Sequence, residues 1–360
     1  MEKFDAIVIG SGAGGLSTAL CLARSGQKVL VLEQHYVPGG WCHTFTLNGQ
    51  RFSPGVHYIG LLDEGQSTNE LYKGLGIAND LTFFRMNKNG YDHCIIANQK
   101  FDLPAGIDNL QNKLIEAFPK EEKNIKEYLS LIQKVNYELQ LMPKLKGLWQ
   151  KITVPFRTKH FGKFALFSLK RVIGWHIKDP MLQAILNAQC GDHGLPPSQA
   201  CFPVHCSVMN HYFDGGFYPM GGGSSIVKAM TSKIKSYGSE IRVSQKVAKI
   251  IVENNQAKGV VLATGETILA NTIVSNADPS ITYLKLIGKE NISKKLEKKL
   301  SKTKYSVTSI IMFLTLEVDV TKYGIDSGNI WKFKDENVVQ WYNEENLASD
   351  NKIYLPEIKE

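Results

Sequence analysis

The spacing of apolar residues changes period several times along the chain, and each change marks an element. Ala6-Ile7-Val8-Ile9 is a continuous apolar run closed by Gly10, the pattern of a strand covered on both faces. Leu16, Ala19, Leu20 and Ala23 then recur at helical spacing until Gly26, and Lys28-Val29-Leu30-Val31-Leu32 returns to strand character before Glu33. Phe52 and Val56-His57-Tyr58-Ile59 read as a strand-like pair. Residues 91–104 read as a hairpin turning at Asn98-Gln99-Lys100. From Asp108 to Met142 the period is helical, with Ile125, Tyr128, Leu129, Ile132, Val135, Leu139 and Met142 on one stripe, and helical patterning continues to about Gln189. A glycine-rich loop, Tyr218-Pro219-Met220-Gly221-Gly222-Gly223, opens a helix predicted over 224–237. Strands are predicted at 241–243, 247–253, 259–262, 266–269 and 272–274, with a turn at Asn254-Asn255, and a last long strand at 306–318. This order predicts an α/β chain in which a nucleotide-binding domain (1–105) is interrupted by a helical, basic insertion (106–215). It resumes over 216–290, and 291–360 supplies strands of a substrate domain.

Composition alters this picture in one place. The 360 residues and 43% apolar content suit about two globular domains. No run of eighteen apolar residues predicts a spanning helix, and the N-terminus leads straight into the first strand without a signal-peptide pattern, so a cytoplasmic protein is expected. The net charge of +8 is concentrated. Between Leu141 and Lys178 stand Lys144, Lys146, Lys151, Arg157, Lys159, Lys163, Lys170, Arg171 and Lys178 with no Asp or Glu, interleaved with Leu148, Trp149, Phe156, Phe161, Phe164, Leu166, Phe167, Leu169, Val172, Ile173 and Trp175. No nucleic-acid motif accompanies the charge, so nucleic acid is not expected as a partner. Cations beside apolar anchors suit a peripheral element on an anionic membrane; a solvated basic helix pair over a core fits the same pattern. The six cysteines form no CxxC pair. Cys201-x3-His205-Cys206 lacks a second cluster, so no metal site is expected and reduced thiols are.

The chemistry is concentrated near the N-terminus. Gly10-Ser11-Gly12-Ala13-Gly14-Gly15 sits between strand and helix, with Glu33 ending the next strand, which is the full context of a dinucleotide fingerprint. Gly10 allows the tight turn, Gly12 lets backbone approach a pyrophosphate, and Gly15 lets helix and strand close together. The helix N-terminus faces the phosphates, and Glu33 is placed for the ribose hydroxyls. A bound ADP-ribose moiety is expected. Gly39-Gly40, just past Glu33, favours FAD over a nicotinamide cofactor.

With those residues the chain resembles the phytoene-desaturase-like flavin oxidoreductases, in particular the branch of retinol saturases and carotenoid isomerases. The resemblance rests on Asp5 to Gly15, Gly39-Gly40-Trp41-Cys42-His43-Thr44-Phe45 and Gly55-Val56-His57-Tyr58-Ile59-Gly60. It is carried further by Gly191-Asp192-His193-Gly194-Leu195-Pro196-Pro197-Ser198, Phe217 to Gly222 and Val274-Ser275-Asn276-Ala277-Asp278-Pro279. It implies an amine-oxidase-like, two-dinucleotide-binding Rossmann domain with an inserted α+β substrate domain. It also implies FAD held by Gly10, Gly12, Ala13, Gly14, Gly15 and Glu33, then by Gly39, Gly40, Trp41, Cys42 and Thr44, with Gly55 and His57 near the ring and Val247 against adenine. Cys42 and Val247 read equally well as core residues. The implied reaction is reduction of a C=C bond in a long apolar retinoid or carotenoid, with NAD(P)H a candidate electron donor; desaturation or cis-trans isomerisation is the alternative. A prenyl carrier of the GDP-dissociation-inhibitor type is the alternative from another class. His57 and His193 are the candidate proton donors, each with a purely structural alternative, and no residue is assigned as catalytic.

Three departures from the family pattern stand out. Trp41 occupies a position usually held by arginine, which favours the saturase branch. Phe52-Ser53-Pro54 lacks the usual acid after the phenylalanine. Family members also continue into a glycine-rich segment that closes over the flavin, and nothing like it follows Val318. The chain is therefore expected to be a fragment, with weakened flavin binding or activity.

Overall fold

A computed structural model describes residues 3–142, 153–303, 305–306 and 309–337. It divides into two compact units, one of 1–84, 217–305 and 311–315, the other of 85–216, 306–310 and 316–360.

The first unit is built on a six-stranded sheet. Across it the strands run Val247–Glu253, Gln256–Leu262, Thr267–Ser275, Lys3–Ile9, Val29–Leu32 and Glu240–Arg242. Lys3–Ile9 is parallel to both neighbours, with Ala6 opposite Thr272 on one side and Val29 on the other. Glu240–Arg242 is also parallel to Val29–Leu32, whereas the three strands from 247 to 275 form an antiparallel meander. The continuous apolar runs are explained by a sheet packed on both faces. Ala6, Val8, Val29 and Val31 join one core with Leu16, Ala19 and Leu20 of the helix Ala13–Arg24 and with Ile226, Val227 and Met230 of the helix Gly223–Ser236. Ile7, Ile9, Leu30 and Leu32 join a second core with Val247, Ile250 and Val260. Gly26, at φ +88°, ends the first helix, and Asn254 and Asn255, both at positive φ, make the predicted turn. The segments predicted at 266–269 and 272–274 are one continuous strand, Thr267–Ser275.

The second unit holds the predicted hairpin, as strands Asp92–Ile96 and Gln99–Leu103 turning at Ala97-Asn98. The predicted boundary at 105 therefore lies inside this unit, and the hairpin belongs with the helical segment. A strand absent from the sequence reading, Asn329–Phe333, pairs in parallel with Asp92–Ile96. The helical stretch is broken at Pro119 into Ile107–Ala117 and Glu122–Leu141. Ile125, Tyr128, Leu129, Ile132 and Val135 of its stripe are buried, whereas Met142 is exposed. Glu121 accepts backbone hydrogen bonds from Lys178 and Asp179, both 2.8 Å. Glu138 accepts from His160 Nδ1 and the Phe161 amide, both 2.7 Å. Two buried carboxylates, Glu121 just before the helix Glu122–Leu141 and Glu138 within it, thus bind the acid-free basic segment at its middle and its end. Among the described residues, no helix is long and apolar enough to cross a membrane.

Among the described residues of the strand predicted over 306–318, no strand is formed. Residues 309–316 carry no regular structure, and Ile310, Leu314, Leu316 and Val318 are exposed. Apolar spacing suits a strand, but a strand needs a paired neighbour, and the described residues supply none here.

Candidate functional site

The fingerprint turn lies at the C-terminal edge of the parallel strands, where doubly wound sheets bind nucleotides. Gly10 has φ +91°, which an L side chain rarely adopts, and its amide donates to the Leu32 carbonyl at 2.8 Å. A Cβ on Gly15 would overlap the Gly10 carbonyl oxygen, so this glycine sets the closest approach of helix to strand. Cβ atoms on Gly12 and Gly14 would lie 3.0 and 2.7 Å from the Asn276 side-chain amide. The helix begins after Gly12 with no side-chain cap and no acid in its first turn, leaving its amides and positive dipole end for an anion.

Glu33 is 8% exposed. It accepts from the Ser11 amide at 2.9 Å, the Ser11 hydroxyl at 2.6 Å and the His35 amide at 2.8 Å. Burial pushes its pKa upward, but these hydrogen bonds outweigh that and hold the carboxyl below its ordinary range, so it is ionised at neutral pH. Oε2 takes both Ser11 bonds, whereas Oε1 takes only the His35 amide and retains acceptor capacity for a ribose hydroxyl. Ser11 Oγ also accepts from the Gly39 amide at 2.9 Å, so one hydroxyl locks the fingerprint, the acid and the glycine doublet together. Ser11 was not singled out from the sequence, because the bland x of a glycine motif carries no signal of this bridge.

The doublet has the geometry the cofactor path requires. Gly39 and Gly40 have φ of +123° and +53°, and a Cβ on Gly40 would come within 3.0 Å of Gly12 Cα. Beyond it, a Cβ on Gly55 would meet the Trp41 backbone and side chain, and one on Gly223 would meet the Cys42 carbonyl oxygen. The Gly223 amide donates to Ser53 Oγ at 3.2 Å. The structure thus gathers Gly10 to Gly15, Glu33, Gly39 to Thr44 and Gly55 in one unit, with the second glycine-rich loop beside Cys42 and Ser53. Trp41 is 72% exposed, Ala13 and Gly14 are exposed, and Thr44 and Cys42 are half-buried. Burial raises the Cys42 thiol pKa, so it is a neutral wall residue and no nucleophile.

Val247 is reached through a backbone path along the acid. The Glu33 amide donates to the Arg242 carbonyl, and the Gln245 and Ser244 amides donate to the carbonyls of Glu33 and His35, at 2.8–2.9 Å. Val247 itself is buried in the second core of its unit. His57 is exposed in the same unit. His193 belongs to the other unit, is half-buried, and its Nε2 lies 3.4 Å from His205 Nδ1. Burial lowers its pKa.

These residues fit an ADP moiety followed by a ribityl chain: an uncapped helix start, an ionised acid at the second strand's end, and two glycines leaving space where a Cβ would collide. FAD bound there would supply hydride and electron transfer. The chain is 30% identical to all-trans-retinol 13,14-reductase of Danio rerio over 353 residues, covering 94% of this chain and 58% of the relative. It is 29% identical to chloroplastic prolycopene isomerase 2 of an Oncidium hybrid cultivar over 307 residues, covering 81% of this chain and 51% of that protein. It therefore spans under three fifths of either relative's length. An oxidoreductase structure from Methanosarcina mazei superimposes with a TM-score of 0.58 at 19% identity, covering 84% of this chain and 65% of that one. The flavin containing amine oxidoreductase model matches residues 13–333. On that match and on the site's geometry, the chain belongs to the flavin containing amine oxidoreductase family, and its cofactor is FAD.

Proposed function

We propose that this chain is the flavin-binding portion of an oxidoreductase that reduces a C=C bond of a long apolar polyene of the retinoid or carotenoid class. The observation that carries the reading is the 30% identity to all-trans-retinol 13,14-reductase, which extends over 94% of the chain and includes both units. Reduction needs a proton as well as a hydride. Of the two histidines, His193 faces another imidazole and is held neutral by burial, so His57, in the unit with the cofactor site, is the better donor. The test is anaerobic: the FAD-loaded chain, reduced beforehand, is mixed with all-trans-retinol and separately with prolycopene. Reoxidation of the flavin with formation of a dihydroretinoid is expected. Isomerised prolycopene with no net flavin oxidation would install the isomerase reading, which the 29% identity to a prolycopene isomerase favours. Failure to retain any flavin would overturn both.

The substrate class implies a lipid source, and we assign the contact to the basic segment after 152. Phe156 and Leu166 are 83% and 94% exposed, among exposed Arg157, Lys159, Lys163, Lys170 and Arg171. Leu169, Val172 and Ile173 of the same segment are buried, so the basic segment combines a core face with free apolar anchors. Lys144, Lys146, Leu148, Trp149 and Lys151 of the predicted patch lie outside the described residues. The chain is expected to float with anionic vesicles, weakly with neutral ones, and to be released by salt. Replacing Phe156 and Leu166 by serine should weaken partitioning at least about tenfold each, since burying such a side chain is worth roughly 1.5–3 kcal/mol. Absence from both vesicle types removes the membrane assignment.

A further inference from the structure

The second unit contains a cluster that flavin chemistry does not use. Cys190 and His193 stand three residues apart on the 3₁₀ helix Ala188–His193, where positions i and i+3 eclipse. Facing them is His205 of the helix Phe202–Tyr212. One nitrogen or sulfur atom from each of the three lies within 4.8 Å of the other two. Cys190 and His205 are fully buried and His193 is half-buried.

The contact between the two rings is poorly explained as a hydrogen bond. At 3.4 Å, His193 Nε2 and His205 Nδ1 are beyond the usual range of about 2.7–3.2 Å for N–H donors. The same separation matches two imidazole nitrogens on a tetrahedral zinc ion, which stand about 3.3–3.4 Å apart when each bond is about 2.0–2.1 Å. The far nitrogens, His193 Nδ1 and His205 Nε2, are buried without a side-chain partner among the described residues, and the Leu186 backbone is the group that faces His205. The Cys190 thiol makes a 3.8 Å contact to Asn187 Oδ1, too long and too weak to occupy it. A set of two nitrogens and one sulfur, with no carboxylate, excludes magnesium and calcium as preferred occupants.

We propose that Cys190, His193 and His205 form a binding site for a zinc-class divalent cation, which clips the 3₁₀ helix Ala188–His193 to the helix Phe202–Tyr212. The part-exposed His193 marks the side from which the ion enters and on which a water completes its coordination. The cysteine–histidine run that the sequence offered, Cys201 to Cys206, is a different set: Cys201 Sγ is turned to the Ala165 carbonyl at 3.3 Å, and only His205 belongs to the site.

Cobalt(II) is the probe. The FAD-loaded, reduced protein, stripped of metal, is titrated with Co²⁺ and followed by absorption. A thiolate-to-cobalt charge-transfer band and tetrahedral visible bands are expected to saturate at one ion per chain, to persist in excess Mg²⁺ and to disappear on adding Zn²⁺. Cys190→Ser should remove the charge-transfer band, and His205→Gln should weaken binding at least tenfold. Because both residues are buried, His193→Gln at the accessible position is measured as well, with its fold checked by circular dichroism; it too should weaken binding at least tenfold. Cys201→Ser should leave the spectrum unchanged. No stoichiometric cobalt band in the wild-type chain, or a charge-transfer band that survives Cys190→Ser in folded protein, overturns the proposal.

Discussion

Gly15→Ala is expected to abolish flavin retention and to destabilise the first unit by several kcal/mol. A Cβ at this position would overlap the Gly10 carbonyl oxygen and lie 3.2 Å from Asn276 Cβ. Neither neighbour can yield cheaply. The Gly10 oxygen is backbone in a turn whose amide is bonded to Leu32, and Asn276 follows Thr267–Ser275, with its own amide donating to the Ile9 carbonyl at 2.8 Å. Overpacking of this kind costs about 1–3 kcal/mol where side chains can adjust and more where backbone must move. The displaced turn carries the amides meant for the pyrophosphate, so FAD affinity should fall by at least a hundredfold, about 2.7 kcal/mol. Gly74→Ala is the control within the same unit: it has open space around it, no positive φ and a helical position, and should be neutral or stabilising. Fluorescence titration with FAD and thermal melts check both. Equal flavin affinity in Gly15→Ala and wild type would show that the turn is not the phosphate cradle.

The difference between what could and could not be read in advance follows from sequence separation. Gly10 to Glu33 was legible because the turn, the helix and the acid fall within one βαβ unit, whose geometry is local. Even there, the Ser11 hydroxyl that joins Glu33 to Gly39 was hidden, because a serine between two glycines has many uses and only the folded turn selects one. The meander 247–275 was legible from its alternation and its Asn254-Asn255 turn. The same criterion misassigned 306–318, since alternation describes a side chain's faces and says nothing of whether a neighbouring strand is there to pair. The strand Asn329–Phe333 was missed for the converse reason: five residues with one lysine and one asparagine carry little pattern, and its partner lies more than 230 positions earlier. The Cys190–His193–His205 cluster draws its third member from another helix, which no spacing rule covers.

That missed strand is held by a device whose removal is the second large effect. The His93 side chain is 5% exposed and bridges two carboxylates: Nδ1 faces Asp102 Oδ1 at 2.5 Å and Nε2 faces Asp326 Oδ1 at 2.9 Å. Gly90 and Gly328 form its walls, where added Cβ atoms would come within 2.7 and 2.6 Å of the ring. Asp326 also accepts from the Gly328 amide and from Asn87 Nδ2, and Asn329 donates to the Tyr91 carbonyl at 2.9 Å, so the ring pins the start of the strand to the hairpin. His93→Ala removes both ring contacts to the carboxylates. Each is worth about 1.5–3 kcal/mol when buried, but the aspartates are 32% and 39% exposed and rehydrate, so a total near 2–3 kcal/mol is expected. Hydrogen exchange should show protection lost first at 329–333. Partial burial would raise both aspartates, yet hydrogen bonds from His93 and its neighbours outweigh it; they lower Asp102, and take Asp326 from an ordinary 3.8 to about 2. A depressed carboxylate stabilises the fold fully above its unfolded value and loses that contribution as pH falls through its folded value. The wild-type chain should therefore lose stability between about pH 4 and pH 2, and His93→Ala should show a shallower acid limb there, because both aspartates return toward ordinary values. Superimposable acid limbs, or unchanged protection at 329–333, would show that the strand is held by its backbone ladder alone.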